Sequence, residues 1–129
     1  MIRTSEDLEA LLDRLERHYE RVGDGTYVVS VGPGRPPIAM RVAPPVLVLR
    51  VVVGALSKRG ADTQAPLFRR LLELNATTLL HAAFGLEGDS IVLAAALELE
   101  TVDPNEVEAA LADMDMALAE HVPALRALV

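Results

Sequence analysis

The sequence predicts an α+β protein in which helices pack on an antiparallel sheet, in the order α-β-β-β-α-β-β-α. Three observations predict it. Apolar residues recur at helical spacing in three separated stretches. β-Branched residues concentrate in short runs bounded by glycine, proline or acidic turn residues. The strand runs come as a group of three and a pair, and do not alternate one for one with helices, which favours antiparallel neighbours. At 129 residues the chain has the length of one domain with one core, so residues 1–129 are expected to form a single unit.

The first helix is read from Leu8, Leu11, Leu12, Leu15, Tyr19 and Val22, an apolar stripe with Glu and Arg on the other side. Thr4 and Asp7 suit its start and Gly23 its end. Three strands follow, Thr26 to Val31, Ile38 to Val42 and Val46 to Ala55. They are divided by Gly32-Pro33-Gly34, Pro36-Pro37 and Pro44-Pro45. Gly60, Ala61 and Asp62 loosen the chain before a middle helix. Pro66 is read as the first residue of that helix, because it has no amide proton to leave unpaired. Leu67, Phe68, Leu71, Leu72 and Asn75 then recur at helical spacing. His81 to Leu86 and Ser90 to Leu99 make a hairpin around Glu87-Gly88-Asp89, where glycine supplies a left-handed backbone. Asp103 caps the last helix, with Pro104 at its first position, Glu106 reaching back and Val102 stapled against Val107. Val107, Leu111, Met114, Leu118, Val122 and Leu125 line one side, and Pro123 is expected to end or kink it.

Composition directs attention to what covers the sheet. The chain is 51% apolar yet has two Phe, two Tyr and no Trp, so its core must be built from Leu, Val, Ala and Ile. A small subunit with that much aliphatic surface commonly settles the surplus by self-association, and a homodimer is expected. Alternation along the strands places Leu47, Leu49, Val51 and Val53 on one face and Val46, Val48, Arg50 and Val52 on the other. Likewise Ile91, Leu93, Ala95, Leu97 and Leu99 oppose Val92, Ala94, Ala96 and Glu98. If the leucine faces meet the helices, the opposite Val/Ala face is covered either by another chain or by a helix of the same chain. The positions expected to engage a partner or a sister subunit are Val48, Arg50, Val52, Val92, Ala94 and Ala96 on the sheet, with Phe68 and Leu72 on the middle helix.

Other functions find little support. Net charge is −7 and Lys58 is the only lysine, so the concentrated cations that a phosphate backbone requires are absent and nucleic acid is not an expected partner. The chain has no cysteine, hence no disulfide and no thiolate. The amino-terminal stretch is charged throughout, unlike a cleaved signal. The longest aliphatic run, Val46 to Leu56, is broken by Arg50 and is shorter than the ~20 residues that span a bilayer. A soluble cytoplasmic protein without membrane contact is expected. His18, His81 and His121 lie on separate elements without metal-ligand spacing, and no metal or cofactor is expected. Gly32-Pro33-Gly34 lacks the Lys-Ser or Lys-Thr of a phosphate loop and reads as a turn. Asn75-Ala76-Thr77 matches a glycosylation acceptor only by pattern and reads as a helix end. Ser5, Ser30, Ser57 and Ser90 have no nucleophile-elbow context. Glu73, Glu98 and Glu100 have no spacing that makes them converge, so no catalytic residue is assigned. Arg69, Arg70 and Glu73 fit a solvated helix face or charges facing a partner. Met114 reads as core and Met116 as more exposed.

Leu71-Leu72-Glu73-Leu74-Asn75, the strand Phe84-Gly85-Leu86, the turn Gly88-Asp89, the strand Ile91-Val92-Leu93 and the acidic helix after Asp103 together resemble the CesT/YbjN superfamily. That group comprises the class I type III secretion chaperones and the YbjN-like bacterial proteins. The preceding helix and strands fit the same order, so the resemblance covers nearly the whole chain. It implies a secretion-chaperone-like α+β fold and a non-enzymatic homodimer that binds an extended segment of another protein on apolar surfaces. The alternative is a regulatory or scaffolding dimer of the YbjN-like type with no client.

Overall fold

Local signals start each element, but tertiary contacts decide where several of them stop. The computed structural model describes residues 2–56 and 61–128, with side chains from Gln64 onward in the second stretch. Ser57, Lys58 and Gly60 therefore lie outside the described residues. Helix α1 spans Ser5–Arg14 and opens on the expected reciprocal cap. The Thr4 hydroxyl accepts the Asp7 N–H at 3.2 Å, and the Asp7 carboxylate accepts the N–H groups of Arg3 at 2.8 Å and Thr4 at 3.1 Å. Those two backbone donors hold the Asp7 carboxyl below the ordinary carboxylate range.

The helix ends well before Gly23, contrary to the sequence expectation. Glu16 takes a left-handed φ of 57°, its N–H donates to the Asp13 carbonyl, and the Arg17 N–H donates to the Leu12 carbonyl, both at 3.1 Å. This is a Schellman stop with glutamate where glycine is usual, which is why the sequence does not announce it. Tyr19 and Val22 then belong to a strand, β1 (Tyr19–Gly23), and not to the helical stripe. Tyr19 gains there what a longer helix would lose. Its hydroxyl donates to Asp13 at 2.6 Å and its ring meets Tyr27 edge to face at 5.7 Å. Tyr27, fully buried, donates to Glu9 at 2.9 Å, so the two phenols pin α1 over the first hairpin.

Strands β2 (Thr26–Val29), β3 (Ile38–Ala43) and β4 (Val46–Ala55) follow, with Pro44-Pro45 as the tight connection between the last two. Helix α2 (Ala61–Thr77) begins before Pro66, which is therefore internal and not its first residue. Ala61 and Asp62 are helical, and do not loosen the chain. The hydrogen bond that proline forfeits is offset by burial of Leu67, Leu71 and Leu74. Strands β5 (Ala83–Glu87) and β6 (Ser90–Glu98) form the expected hairpin, with Gly88 at a φ of 59° in its turn. Asp103 accepts the Glu106 N–H at 2.7 Å and caps helix α3 (Pro104–Met116). Val102 and Val107 are both buried beside it. At Pro123 the expected end or kink takes the form of an interruption just ahead of it. A π-helical turn, Ala117–His121, closes with the Val122 N–H on the Ala117 carbonyl and leads into α4 (Val122–Arg126). The wider turn sits where the proline would otherwise disturb an α-helical ladder.

The six strands form one antiparallel sheet in the order β1-β2-β3-β4-β6-β5. Leu8 and Leu12 of α1, Leu67, Leu71 and Leu74 of α2, and Val107, Leu111 and Met114 of α3 share a single buried cluster with Leu47, Leu49, Val51, Val53, Ile91, Leu93 and Ala95. The helices thus cover one face of the sheet, the leucine face that alternation identifies. A bidentate pair between Arg17 and Glu108, at 2.8 and 3.0 Å, joins the end of α1 to α3. Arg35 Nε stands 3.0 Å from Asp115 Oδ1 but outside hydrogen-bond alignment, tethering the β2–β3 loop to α3 by charge alone.

Asp113 is the one buried charged side chain among the described residues. Its carboxylate accepts the N–H groups of His81 and Ala82 at 2.9 Å and of Leu80 at 3.2 Å, fixing the turn that delivers the chain from α2 into β5. An ionised acceptor serving several backbone donors repays its own burial, and its loss strands those donors. Asp113→Ala is expected to lower unfolding stability by about 3 kcal/mol, and Asp113→Asn by less because one oxygen still accepts. Urea denaturation checks this, and a change below about 0.5 kcal/mol in the alanine variant would show the carboxylate to be dispensable.

Candidate interaction surface

Parity on β4 and β6 directs a second set of side chains away from the helices, and the register shows how they meet. Arg41, Val48 and Ala96 form one row across β3, β4 and β6. Ala39, Arg50, Ala94 and Ala83 form the next, reaching β5, and Val52, Val92 and Gly85 a third. Six of the eight sequence-predicted positions, Val48, Arg50, Val52, Val92, Ala94 and Ala96, thus lie together on one face. No described helix covers it: Val52 is 47% exposed, Ala96 is exposed, and Val48 and Ala94 are partly so.

Val92 is the exception, being buried at 5% exposure although it is outside the helix-covered core. Its cover is polar. The Arg50 guanidinium reaches across β6 to the Glu87 carboxylate on β5, with Nε donating at 3.0 Å and a second, shorter contact from the terminal nitrogen. The register sets Val92 between the rows of these two residues, so the aliphatic stem of Arg50 and the ion pair close over it. Arg50 is therefore partnered within the chain instead of projecting as an unpaired charge. Glu87 was not singled out from sequence, where it reads as a turn residue. Strand parity through the hairpin was the signal that could have placed it on the Arg50 side.

The other two predicted positions, Phe68 and Leu72, do not join this face. They lie on the flank of α2 beyond the β5 edge, where Ala65, Phe68, Leu72 and Ala76 form a stripe distinct from the buried Leu67-Leu71-Leu74 side. Leu72 is 68% exposed and Leu86 of β5 continues the apolar surface beside it. Arg69 and Arg70 both turn to Glu73 on their own helix, at 3.1 and 3.8 Å, as a solvated face does. Among the described residues no group of three or more acidic or histidine side chains converges as a metal site would, and no helix is long and apolar enough to cross a membrane.

Solved structures share this architecture, a six-stranded antiparallel sheet with helices on one side. The chain is similar to one in the heterodimeric ExoU–SpcU complex of the Pseudomonas aeruginosa type III secretion system (TM-score 0.69, 15% identity, 95% of this chain and 97% of that one). It is also similar to YbjN of E. coli (0.67, 15%, 93% and 92%) and to a chain of the HopA1–SchA chaperone–effector complex (0.59, 15%, 93% and 90%). No match is found among curated proteins. The family assignment comes from sequence over the full length: the chain belongs to the CesT_Tir_1 family, whose model matches residues 1–129.

The Arg50–Glu87 pair gives a pH signature. The hydrogen bond from Arg50 holds the Glu87 carboxyl below its ordinary value. Because the folded value is the lowered one, whatever the pair contributes to stability is fully present above the ordinary carboxylate range and is lost as pH falls through the folded value. In an NMR titration the Glu87 carboxyl should have a lower midpoint than in the unfolded chain, and Arg50→Gln should return it to the ordinary range. An unchanged midpoint in that variant would mean the ion pair does not form in solution.

Proposed function

We propose that the protein is a non-enzymatic, chaperone-like homodimer that holds an extended segment of another polypeptide, acting in the cytoplasm. The observation that carries this reading is the uncovered Val/Ala face of the sheet. An aliphatic face left open in an otherwise well-packed subunit is surface prepared for a partner. Two of the solved structures with this fold are chaperone–effector or heterodimeric secretion complexes, which supports a binding role for the fold without naming a partner for this chain. The small side chains of Ala94, Ala96 and Ala39 let a bound backbone come close, while Val48 and Val52 supply apolar contact. That arrangement suits a non-globular segment better than a rigid domain.

The two surfaces take separate roles in this reading. The α2 flank, with Phe68 and Leu72 at helical spacing, suits packing against the same helix of a second copy in a two-fold dimer. The sheet face, with Val48, Arg50, Val52, Val92, Ala94 and Ala96, is left for the client segment.

The roles separate by mutation. Val52→Asp should weaken binding of a permanently unfolded reporter polypeptide by about tenfold or more, the scale of about 1.4 kcal/mol, while leaving the dimer and the urea midpoint unchanged. Leu72→Asp should yield monomers in light scattering. A wild-type protein that is monomeric at micromolar concentration and does not bind the unfolded reporter would overturn the proposal.

A further inference from the structure

Asn75, in the last turn of α2, makes two hydrogen bonds that the binding role leaves unexplained. Its side-chain nitrogen donates to the Phe84 carbonyl at 3.0 Å and its side-chain oxygen accepts the Phe84 N–H at 2.8 Å. In an antiparallel ladder the N–H and C=O of one residue point to the same side, towards the neighbouring strand or away from it, and the direction alternates along the strand. Strand β5 has β6 on one side and forms the edge of the sheet on the other. The pairing of Glu87 with Ser90 around the two-residue turn Gly88-Asp89 aims Glu87 and Gly85 at β6. Phe84 and Leu86 therefore aim their backbone groups outwards. Asn75 answers both groups of Phe84, as a residue on a seventh strand would.

We infer that Asn75 closes the β5 edge against strand addition, so that neither a second copy nor an extended partner can lengthen the sheet on that side. The need for such a device is visible on the same edge. β5 is short and carries exposed Leu86, and the α2 flank beside it presents Leu72, so an unblocked backbone there would be an apolar, pairing-competent edge. With Phe84 occupied, only Leu86 keeps an outward pair, and a single residue is too little to seat a strand. The corner then accepts contacts through side chains, not through a shared ladder. This holds whatever the open sheet face binds.

The plug is separable from a simple anchor between α2 and β5. Asn75→Ala should assemble, with rising concentration, into species larger than the wild-type protein in analytical ultracentrifugation. Asn75→Ala combined with Leu86→Pro should return to the wild-type state, because proline removes the outward Leu86 amide without touching the bonds to β6. An Asn75→Ala protein that stays folded and keeps the wild-type assembly would overturn the inference, as would assembly that Leu86→Pro leaves unchanged. If Asn75→Ala does not fold, amide exchange in the wild-type protein decides. The Phe84 amide should exchange at least about tenfold more slowly than the Leu86 amide, the scale of one hydrogen bond, and equal rates would overturn it.

Discussion

The structure depends on one constraint: a sheet whose strands are apolar on both faces is covered by helices on only one. Leu47, Leu49, Val51 and Val53 meet the helices with almost no exposure, while Val46, Val48 and Val52 on the same strand do not. The buried cluster draws on α1, α2 and α3 together. No described helix remains to cover the second face. The proposed binding role follows from that imbalance, since burying aliphatic area is the largest favourable term available to a surface of this kind.

Polar groups decide how the imbalance is arranged. All three notable ones converge on the short stretch between α2 and β6. Asp113 gathers three backbone donors ahead of β5, Asn75 occupies the outward groups of Phe84, and Glu87 draws Arg50 across β6. The first two satisfy backbone groups that a short edge strand would otherwise leave unpaired. The third covers Val92 and subdivides the open face, leaving Val48, Val52 and Ala96 as its accessible apolar part. Strand β5 is thus held more by side chains of α2, α3 and β4 than by its own length. Its apolar residues are few: Phe84 is buried, and Leu86 is half exposed.

Much of this was legible in the sequence, and the parts that were not share a cause. The sequence pattern bounds β4 from Val46 to Ala55, marks the caps at Thr4 and Asp103, and separates the inward and outward faces of β4 and β6, because each rests on near neighbours in sequence. The gathering of Val48, Arg50, Val52, Val92, Ala94 and Ala96 on one face followed from alternation alone. What was missed depends on distant residues or on an uncommon local choice. Helix α1 stops at a glutamate in the conformation glycine usually takes, and Tyr19 leaves the helical stripe for a ring contact with Tyr27. Pro66 sits within α2, held by packing that no local rule contains. Asp113 and Glu87 look ordinary in sequence, and the pattern around Asn75 does not point to Phe84, since the partners of all three are set by the fold.

Whether one face of the sheet is open in the isolated protein and available to a partner can be measured by methyl NMR with a soluble paramagnetic agent. Strong broadening of the Val48, Val52 and Ala96 methyls is expected, with near-complete protection of those of Leu49 and Leu93, and loss of the broadening when an unfolded polypeptide is added. Val48, Val52 and Ala96 methyls as protected as that of Leu49 in the protein alone would contradict an open face.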